Sequence, residues 1–344
     1  MSFPPLPQED LEHVLAHTRP LWEQLRGGRI FVTGATGFFG IWLLETFAYA
    51  NKELGLGAKL VGLSRDPEAF YSKVPHLGTE SSIILHQGDV RSFEFSEGSF
   101  SHVIHAGTTP SDLIPSGEIF RTIVQGTSRI LDFAVAAGAR RFLFVSSGAV
   151  YGKQPADMTH IPETYAGAPD SLDASSAYGE GKRAGELLCA MAQREHGLET
   201  TIARCFAFVG PHLPLDAHFA IGNFIRDAIQ GDPIKVKDGS PYRSYLYAAD
   251  LAIWLWTILF KGQGCHPYNV GSDQEISIAG LAQIVASTLG GTVFPLSTLS
   301  INSNSAHFRY IPSTSRARQE LGLTEWSDKE ESVTKTAAWW RSVR

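Results

Sequence analysis

The chain has 344 residues, 43% of them hydrophobic and 19% charged, which is typical of a globular protein with one large or two medium domains. Its formal net charge of -6 gives no reason to expect nucleic acid or an acidic membrane as a partner. The cysteines Cys189, Cys205 and Cys265 are far apart and form no CxxC pair. Their pattern argues against a disulfide framework or a metal site and favours a reducing, cytoplasmic compartment.

The N-terminal segment, "MSFPPLPQEDLEHVL", lacks the basic start and apolar middle of a signal peptide. Apolar residues at helical spacing between residues 9 and 25, interrupted at Pro20, predict a helical extension over residues 1–28. The longest strongly apolar run, residues 251–260, is too short to span a bilayer. It predicts a buried helix, and we expect a soluble intracellular protein.

From Arg29 onward, short apolar runs alternate with longer amphipathic segments. The runs are "RIFVTG", "AKLVGL", "SIILHQG", "HVIHAG", "RFLFVSS" and "TTIARCF". Apolar strands alternating with helices predict an α/β fold with a parallel sheet covered on both faces, over residues 29–206. Residues 207–344 open with a Pro- and Gly-rich stretch and are predicted to form mainly a smaller substrate-binding lobe, with some return to the first domain.

The segment "FVTGATGFFG" places glycines between the first strand and the helix that follows it. Such glycines permit a tight turn, let the backbone approach a pyrophosphate and let helix and strand pack closely, while the helix N-terminus offers free N–H groups. The spacing is GxxGxxG rather than GxGxxG, and glycine turns also serve chain geometry alone. In this strand–helix context we predict a bound dinucleotide. The expected contacts in this loop are Gly34, Thr36, Gly37, Phe38 and Phe39.

The second strand ends in "LVGLSRDP", with Arg65 at its tip. NAD enzymes usually carry an acidic residue there, whereas a guanidinium can pair with a 2′-phosphate, so Arg65 favours NADP while NAD stays open. Asp89, in "HQGDV" after the third strand, is placed to meet the adenine, although a turn role is the alternative. The other expected cofactor contacts are Val90, Ala106 and Gly107.

The segment "SSAYGEGKRAGE" places Tyr178 and Lys182 four residues apart, on one face of a predicted helix. A nearby ammonium lowers the pKa of a phenol, which then exchanges a proton with a substrate hydroxyl while hydride moves to or from the cofactor. Lys182 is also long enough to bond the nicotinamide ribose. A Tyr-x-x-x-Lys pair also arises by chance. The glycine loop and Ser146 and Ser147, at the end of the fifth predicted strand, support the catalytic interpretation.

Between Arg29 and Leu323 the chain resembles the extended short-chain dehydrogenases/reductases of the NAD-dependent epimerase/dehydratase type. The motifs, in order, are "TGATGFFG", "GDV", "HVIHAG", "VSSGAVYG", "YGEGK", "RCFAFVGP", "YRSYLYAADLA" and "YNVGSDQEISI". The resemblance implies a Rossmann-like doubly wound domain, a nucleotide-sugar substrate and a Ser-Tyr-Lys catalytic set that Ser147, Tyr178 and Lys182 match. It also implies homodimerisation through the helices around 120–138 and 176–196.

Departures from the family pattern discriminate between reactions. In the sugar 4,6-dehydratases the catalytic Thr is followed by Asp-Glu, and the UDP-glucuronate decarboxylases keep a Glu where this chain has Ala149. Here Gly148 and Ala149 follow Ser147, so dehydration and decarboxylation are disfavoured. C4 epimerisation and reduction of a 4-keto sugar remain, and Arg65 favours the reductase.

The resemblance also implies substrate contacts. Arg243 matches the family's diphosphate-binding arginine, and Arg309 is a candidate second one. Asn223 and Phe224 are expected to open a helix whose backbone meets the phosphates. Two further residues, Thr108 and Thr109, are expected to border the nicotinamide and the sugar, and His105 is expected to be buried against the sheet rather than catalytic.

Two other classes of function remain. One is a dinucleotide-sensing regulator without chemistry, which the presence of both Tyr178 and Lys182 disfavours. The other is a reductase of a small non-sugar carbonyl, which Arg243 and the C-terminal lobe disfavour because a small substrate needs no diphosphate clamp.

Overall fold

A computed structural model describes residues 2–107, 115–217, 219–295 and 308–343. The strands are β1 (Arg29–Thr33), β2 (Lys59–Ser64), β3 (Ile83–Gln87), β4 (His102–His105), β5 (Arg141–Ser147), β6 (Glu199–Cys205), β7 (Phe208–Val209), β8 (Ile234–Val236), β9 (Tyr242–Arg243), β10 (Leu246–Tyr247), β11 (Pro267–Val270), β12 (Ile276–Ser277), β13 (Val293–Pro295) and β14 (Arg309–Tyr310). The α-helices are α1 (Gln8–Thr18), α2 (Phe38–Leu54), α3 (Pro67–Lys73), α4 (Pro75–Gly78), α5 (Ser116–Ala136), α6 (Ala177–His196), α7 (Ala220–Gln230), α8 (Ala248–Lys261), α9 (Ile278–Leu289), α10 (Ser315–Leu321) and α11 (Lys329–Ser342).

The predicted parallel sheet is confirmed. Within the described ranges it has seven strands in the order β11-β6-β5-β4-β1-β2-β3, and each neighbouring pair is parallel. Successive side chains of a strand point to opposite faces. Accordingly Ile30 and Val32 of β1 join the core under α2 and α8, whereas Phe31 joins the core under α5 and α6. Helices therefore cover both faces of the sheet.

The strand order reverses between β1 and β4, because β2 and β3 lie on one side of β1 and β4, β5 and β6 on the other. In open α/β sheets, ligands bind at the carboxyl ends of the strands at such a switch point. The segments that follow β1 and β4 are the glycine loop and the residues Ala106 and Gly107. The topology thus marks this edge of the sheet as the place for a ligand.

The N-terminal segment packs against the far end of the chain. Its predicted helix is α1, followed by a 3-10 helix, Arg19–Leu25, that contains Pro20 near its start. The Tyr247 hydroxyl donates to the carboxylate of Asp10 at 2.7 Å, and Lys335 of α11 donates to the same carboxylate at 3.2 Å. The segment therefore connects α8, β10 and the last helix.

The chain after β6 forms small sheets and also returns to the large one. Strand β7 pairs with β10, β8 with β13, and β9 lies between β12 and β14, whereas β11 forms the edge of the large sheet. The apolar run 251–260 lies inside α8 and is buried, as predicted. No helix in the described ranges has the length and apolarity needed to cross a bilayer. The division into two domains at Phe206 stays a prediction.

Candidate active site

The glycine loop is shaped by close backbone contacts. Gly34 has φ +70°, and a Cβ there would lie 2.6 Å from the carbonyl of Ala106. A Cβ on Gly40 would collide with the carbonyl oxygen of Gly34. Only glycine fits at Gly34, because both its dihedral angle and the space beside it exclude a side chain. The first loop is therefore held directly against the segment after β4.

Helix α2 begins beside this loop. Gly37 precedes its first residue and makes no side-chain cap, so the N–H groups of the first turn lack intrahelical partners. Thr36 and Gly37 are exposed, while Phe38 and Phe39 are half-buried. Phe39 packs edge-on against Phe208 of β7, with ring centres 5.1 Å apart. An exposed helix N-terminus with an extended glycine before it fits the pyrophosphate of a dinucleotide.

The tip of β2 carries an exposed arginine and a carboxylate that caps a helix. The Arg65 side chain is exposed. The Asp66 carboxylate caps α3 by accepting the Ala69 N–H at 2.9 Å. Asp66 is thus engaged in helix capping, while the neighbouring guanidinium faces solvent.

The carboxylate of Asp89, just after β3, is held by hydrogen bonds. The Asp89 carboxylate accepts the backbone N–H of Arg91 at 2.9 Å and its guanidinium at 2.8 Å. The bond from Arg91 holds the pKa of the Asp89 carboxyl below its usual range. Val90 packs against Gly126 of α5. Asp89 therefore has the turn role that the sequence left open, and its carboxylate is already paired.

His105, at the end of β4, is buried beneath the site. Its ring nitrogens lie 2.6 Å from the Thr33 hydroxyl and 3.2 Å from the Thr127 hydroxyl. Burial lowers the pKa of this histidine to about 3, so the ring is neutral at physiological pH. The Thr33 hydroxyl also accepts the N–H of Gly107 at 3.1 Å. His105 thus supports the ends of β1 and β4 from below.

Strand β5 and helix α6 bring Ser147 and Tyr178 together. Ser147 is the last residue of β5, is buried, and accepts the N–H of Ala149 at 3.1 Å. Its side chain faces the phenol of Tyr178, the second residue of α6. Burial raises the pKa of Tyr178, and the polar Ser147 side chain opposes that rise. The two hydroxyls form the centre of the candidate active site.

Lys182 lies one turn further along α6 and is buried. Its ammonium donates to the Val145 carbonyl of β5 at 2.8 Å and lies 5.0 Å from the centre of the Phe144 ring. Burial lowers the pKa of Lys182 to about 8. The helical spacing predicted from the sequence therefore places tyrosine and lysine on the face of α6 that meets the sheet.

A half-buried ion pair that sequence reasoning missed lies next to this set. Glu186, four residues after Lys182, pairs with Arg204 of β6 at 2.6 Å. It also accepts the Ser146 hydroxyl at 2.6 Å, so Ser146 is turned toward α6 and not toward a substrate. The i, i+4 spacing from Lys182 was the available sequence signal for Glu186.

Tyr310 of β14 is a second missed residue. Its phenol faces Ser147, and its ring centre lies 4.6 Å from that of Phe206. A Cβ on Gly148 would lie 2.6 Å from the Tyr310 hydroxyl and 2.7 Å from Phe206. The space that a side chain at position 148 would fill is thus taken by these two aromatic residues.

Arg243 and Arg309 are not brought together. In the pairing of β9 with β14, Tyr310 is opposite Arg243 and Arg309 is opposite Tyr242. Because side chains alternate along a strand, Arg309 lies on the face away from Arg243, over the Tyr242 ring and paired with Glu275 at 3.3 Å. The structure therefore does not bring Arg309 beside Arg243, and its neighbour Tyr310 lies on the Arg243 face instead.

The helix expected to start at Asn223 starts earlier. Helix α7 begins at Ala220, so the Asn223 N–H donates to the Phe219 carbonyl within the helical pattern, at 3.1 Å. The Asn223 side chain accepts from Arg226 at 3.0 Å, and Phe224 is buried. This backbone is therefore not free to meet phosphates. Thr108 and Thr109 lie outside the described residues.

Sequence comparison gives the relatives of this chain. Residues 30–271 match the NAD dependent epimerase/dehydratase family. UDP-glucuronic acid decarboxylase 1 of Arabidopsis thaliana is 30% identical over 309 residues, which are 88% of this chain and 66% of that protein. UDP-glucuronic acid decarboxylase 1 of Xenopus tropicalis is 27% identical over 315 residues, 91% of this chain and 72% of that protein. The chain therefore spans about two thirds of the length of these relatives.

Solved structures share the fold. UDP-glucose 4-epimerase from Thermotoga maritima, with UDP-glucose, superposes with a TM-score of 0.73 at 19% identity, covering 91% of this chain and 98% of that one. The dTDP-glucose 4,6-dehydratase from Streptomyces venezuelae, with NAD bound, gives a TM-score of 0.75 at 22% identity over 91% and 97% of the two chains.

Within the described part of the chain, no group of three or more His, Cys, Asp or Glu residues is placed to hold a metal ion.

Proposed function

We propose that this chain, a member of the NAD-dependent epimerase/dehydratase family of nucleotide-sugar enzymes, transfers hydride at C4 of a nucleotide-activated sugar. The observation that carries the proposal is that Ser147 faces the phenol of Tyr178, with Lys182 buried one turn away on α6 and bonded to the Val145 carbonyl. These residues lie at the same carboxyl edge of the sheet as the glycine loop. The proposed reaction is reduction of a 4-keto sugar.

In this proposal each residue has a defined task. Ser147 holds the sugar oxygen, and Tyr178 gives a proton to it or takes one from it. Lys182 stabilises the phenolate through its positive charge and bonds the ribose. Gly34, Gly37 and the N-terminus of α2 hold the pyrophosphate. A bound dinucleotide supplies the hydride donor or acceptor for this chemistry.

The relatives of this chain are named UDP-glucuronic acid decarboxylases. The family resemblance implies an acidic residue shortly after the catalytic hydroxyl in decarboxylases and dehydratases, and this chain has none there. Gly148 and Ala149 carry no group that could remove a proton or water. Among the described residues, Tyr310 and Phe206 occupy the space beside Gly148, and neither is a carboxylic acid. Reduction and epimerisation need only one acid/base group, and the site supplies it as Tyr178.

The choice of cofactor rests on the tip of β2. Arg65 is exposed there and Asp66 is engaged in capping α3, which supports NADP over NAD. An enzyme that consumes NADPH at every turnover is a reductase. The alternative is a 4-epimerase that holds NAD and returns the hydride to the same sugar. In another class, the protein would sense NADP without chemistry.

Arg243 remains the candidate for the substrate diphosphate. Its guanidinium donates to the Tyr242 carbonyl at 2.8 Å and lies 4.9 Å from the Phe308 ring. Burial lowers the pKa of this arginine, but a guanidinium keeps its charge at any physiological pH. It shares its strand face with Tyr310, which faces Ser147. A diphosphate at Arg243 would therefore place the attached sugar towards Ser147.

We also propose a homodimer formed through α5 and α6. Both helices carry large apolar side chains on their outer faces: Phe120 is 39%, Leu187 62% and Met191 43% exposed. Phe120 and Leu187 line a surface pocket between the two helices and β6. A second copy of the chain would cover them, as the family resemblance implies.

Product analysis tests the proposed reaction. The purified protein is denatured and any released dinucleotide is identified by mass, and the native protein is then incubated with NADPH and UDP- or dTDP-linked 4-keto sugars, hexoses and glucuronate. One equivalent of NADPH consumed per sugar reduced would support the reductase. Interconversion of two sugars without net loss of cofactor would indicate the epimerase, and CO₂ release would indicate a decarboxylase. Tight NADP binding without turnover of any substrate would favour the sensor.

A further inference from the structure

Helix α6 holds the end of β5 at two adjacent residues. The Lys182 ammonium donates to the Val145 carbonyl at 2.8 Å. The Ser146 hydroxyl donates to the Glu186 carboxylate at 2.6 Å. Resting on the proposed roles of Lys182 and Tyr178, we propose that Glu186 is a positioning residue: it ties the end of β5 to α6 and supplies a counter-charge to the ammonium.

The spacing along α6 brings both attachment points to the sheet. Lys182 and Glu186 are four residues apart, and residues at that spacing lie on one face of a helix. The lysine donates to the main chain of β5, and the glutamate accepts from a side chain of the same strand. Two points of attachment fix orientation as well as distance. The strand end that carries Ser147 is thereby held in one orientation against the helix that carries Tyr178.

The Glu186 carboxylate is itself fixed at both oxygens. Arg204 of β6 donates from Nε to Oε1 at 2.9 Å and from Nη2 to Oε2 at 2.6 Å. Such a bidentate pair sets the plane of the carboxylate as well as its position. In the pairing of β5 with β6, Ser146 is opposite Arg204, so hydroxyl and guanidinium reach the same carboxylate from neighbouring strands.

The same arginine continues the network to the turn after the catalytic serine. Arg204 donates to the Tyr151 hydroxyl at 2.9 Å, and Tyr151 ends the 3-10 turn Gly148–Tyr151 that directly follows Ser147. The Tyr151 hydroxyl donates in turn to the Asn269 side chain of β11 at 2.7 Å. The residue before Ser147 and the turn after it are therefore held by one set of hydrogen bonds.

Several ionisable groups that face Lys182 are neutral at physiological pH. Burial raises the thiol pKa of Cys189 on α6 and of Cys205 on β6, so both thiols keep their protons. Burial lowers the pKa of His105 on β4 to about 3, which leaves its ring uncharged. Burial also raises the pKa of Tyr178, so the resting phenol is protonated.

Glu186 brings a negative charge to this group. Its carboxylate favours the ammonium form of Lys182 and opposes the burial that lowers the lysine pKa to about 8. Without that carboxylate, the charge of Arg204 would disfavour a second cation nearby. Loss of the Glu186 charge should therefore release the Lys182 proton at lower pH and withdraw the ammonium from the Tyr178 phenolate.

The first test is Glu186→Gln, which keeps an oxygen for the Ser146 hydroxyl and removes the charge. In the direction in which Tyr178 acts as a base, the rise of kcat/KM with pH should move upward by about one pH unit. Glu199→Gln is the matched control, because it removes a carboxylate paired with Arg141 at 2.8 Å, at the opposite end of the same two strands. An unmoved profile in Glu186→Gln, or an equal shift in the control, would overturn the counter-charge.

Ser146→Ala tests the tie by itself, because it removes the bond from β5 and leaves the Glu186–Arg204 pair. Its kcat should fall about three- to tenfold at every pH, the worth of one hydrogen bond that no longer holds the strand end in place. The pH profile and the NADP affinity should stay as in the wild type. A kcat equal to that of the wild type would overturn the tie.

A further measurement needs no turnover. The free energy of urea unfolding is followed from pH 6 to pH 10 in the wild type and Glu186→Gln, each with and without Lys182→Met. The rise of stability with pH that Lys182 contributes should begin about one pH unit lower in Glu186→Gln, because the folded lysine then loses its proton earlier. The difference should vanish in the Lys182→Met background.

The two failures can be told apart. If the rise of stability does not move, or if it moves equally in the Lys182→Met background, the inference fails even where the enzyme is active. If the rise moves as expected in a protein without hydride-transfer activity, the counter-charge to Lys182 stands and the proposed function fails.

Discussion

The ammonium nitrogen of Lys182 lies 5.9 Å from the centre of the Tyr178 ring and bonds the Val145 carbonyl at 2.8 Å. The bond fixes α6 to β5 two residues before Ser147. The same lysine therefore places a positive charge near the phenol and holds helix and strand in register. Both effects follow from the four-residue spacing that the sequence displays.

Replacing Tyr178 by Phe should lower kcat by about 10²- to 10⁴-fold, because general acid–base catalysis contributes a factor of that order. Dinucleotide affinity should stay within about twofold, since the ring remains and only the hydroxyl is removed. Steady-state kinetics and a fluorescence titration with NADPH measure the two quantities. Tyr49→Phe, a change on the outer part of α2, is the control. A fully active Tyr178→Phe enzyme would exclude the acid/base role.

Lys182 should make the folding free energy depend on pH in the alkaline range. Burial lowers its pKa from the usual 10.5 to about 8, so between these values the unfolded chain binds more protons than the folded one. Stability contributed by this residue therefore rises with pH across that window, by up to about 3 kcal/mol. Urea unfolding of the apo protein and of Lys182→Met from pH 7 to pH 10 measures it. The variant should be the more stable of the two at pH 7, and the difference should shrink as pH rises; parallel pH curves would contradict the burial of a charged lysine.

Gly34→Ala and Gly55→Ala form a matched pair. Both glycines have positive φ, +70° and +55°, but a Cβ at Gly55 has nothing within 4 Å, whereas one at Gly34 meets the Ala106 backbone at 2.6 Å. The change at Gly55 should cost about 1 kcal/mol for its dihedral angle alone. The change at Gly34 should cost at least about 2 kcal/mol more and abolish dinucleotide binding. Thermal unfolding and NADPH titration check both, and equal effects would show that the loop is not held against β4.

Arg65→Ala tests cofactor choice. Loss of a charge-assisted bond to a 2′-phosphate should weaken NADPH binding about ten- to hundredfold. NADH binding should not change, because NADH lacks that phosphate. Arg26→Ala, which removes an exposed arginine of the N-terminal segment, is the control. Equal weakening of both dinucleotides, or none, would remove the argument for NADP.

Leu187→Glu should dissociate the proposed dimer. A carboxylate at this outer position of α6 would be buried without a partner between two copies, which is strongly unfavourable. Leu172→Glu, at a loop residue that is 96% exposed, should leave the mass unchanged. Light scattering after size exclusion gives the mass of each variant. A monomeric wild type would refute the dimer outright.

The sequence predicted the central sheet well because buried parallel strands are apolar along their whole length. The run "RFLFVSS" coincides with β5. The start of α7 was misplaced because Phe219, which precedes it, makes no side-chain cap and gives no sequence signal. Ser147, Tyr178 and Lys182 were found together because two of them share one helix turn and the third ends an apolar strand.

Tyr310 could not be found in the same way. Its place beside Ser147 depends on the pairing of β9 with β14, two-residue strands with no periodic pattern to read. Arg309 was chosen because arginine commonly binds phosphates. The alternation of side chains along β14 turns it to the face away from Arg243. Local spacing predicts neighbours on one element, whereas contacts between distant short strands require the assembled fold.

The bonds between the two ends of the chain also bear on the order of folding. Asp10 and Lys335 are 325 positions apart, and the Trp339 indole donates to the Pro5 carbonyl across 334 positions. Contacts between residues so far apart in sequence become favourable once the sheet has brought the intervening segments together, because the remaining loss of chain entropy is then small. We therefore expect the first ten residues to dock onto α11 late in folding. Until this docking occurs, the carboxylate of Glu45, which accepts the Leu6 N–H at 2.8 Å, and the hydroxyl of Tyr247 lack these native partners.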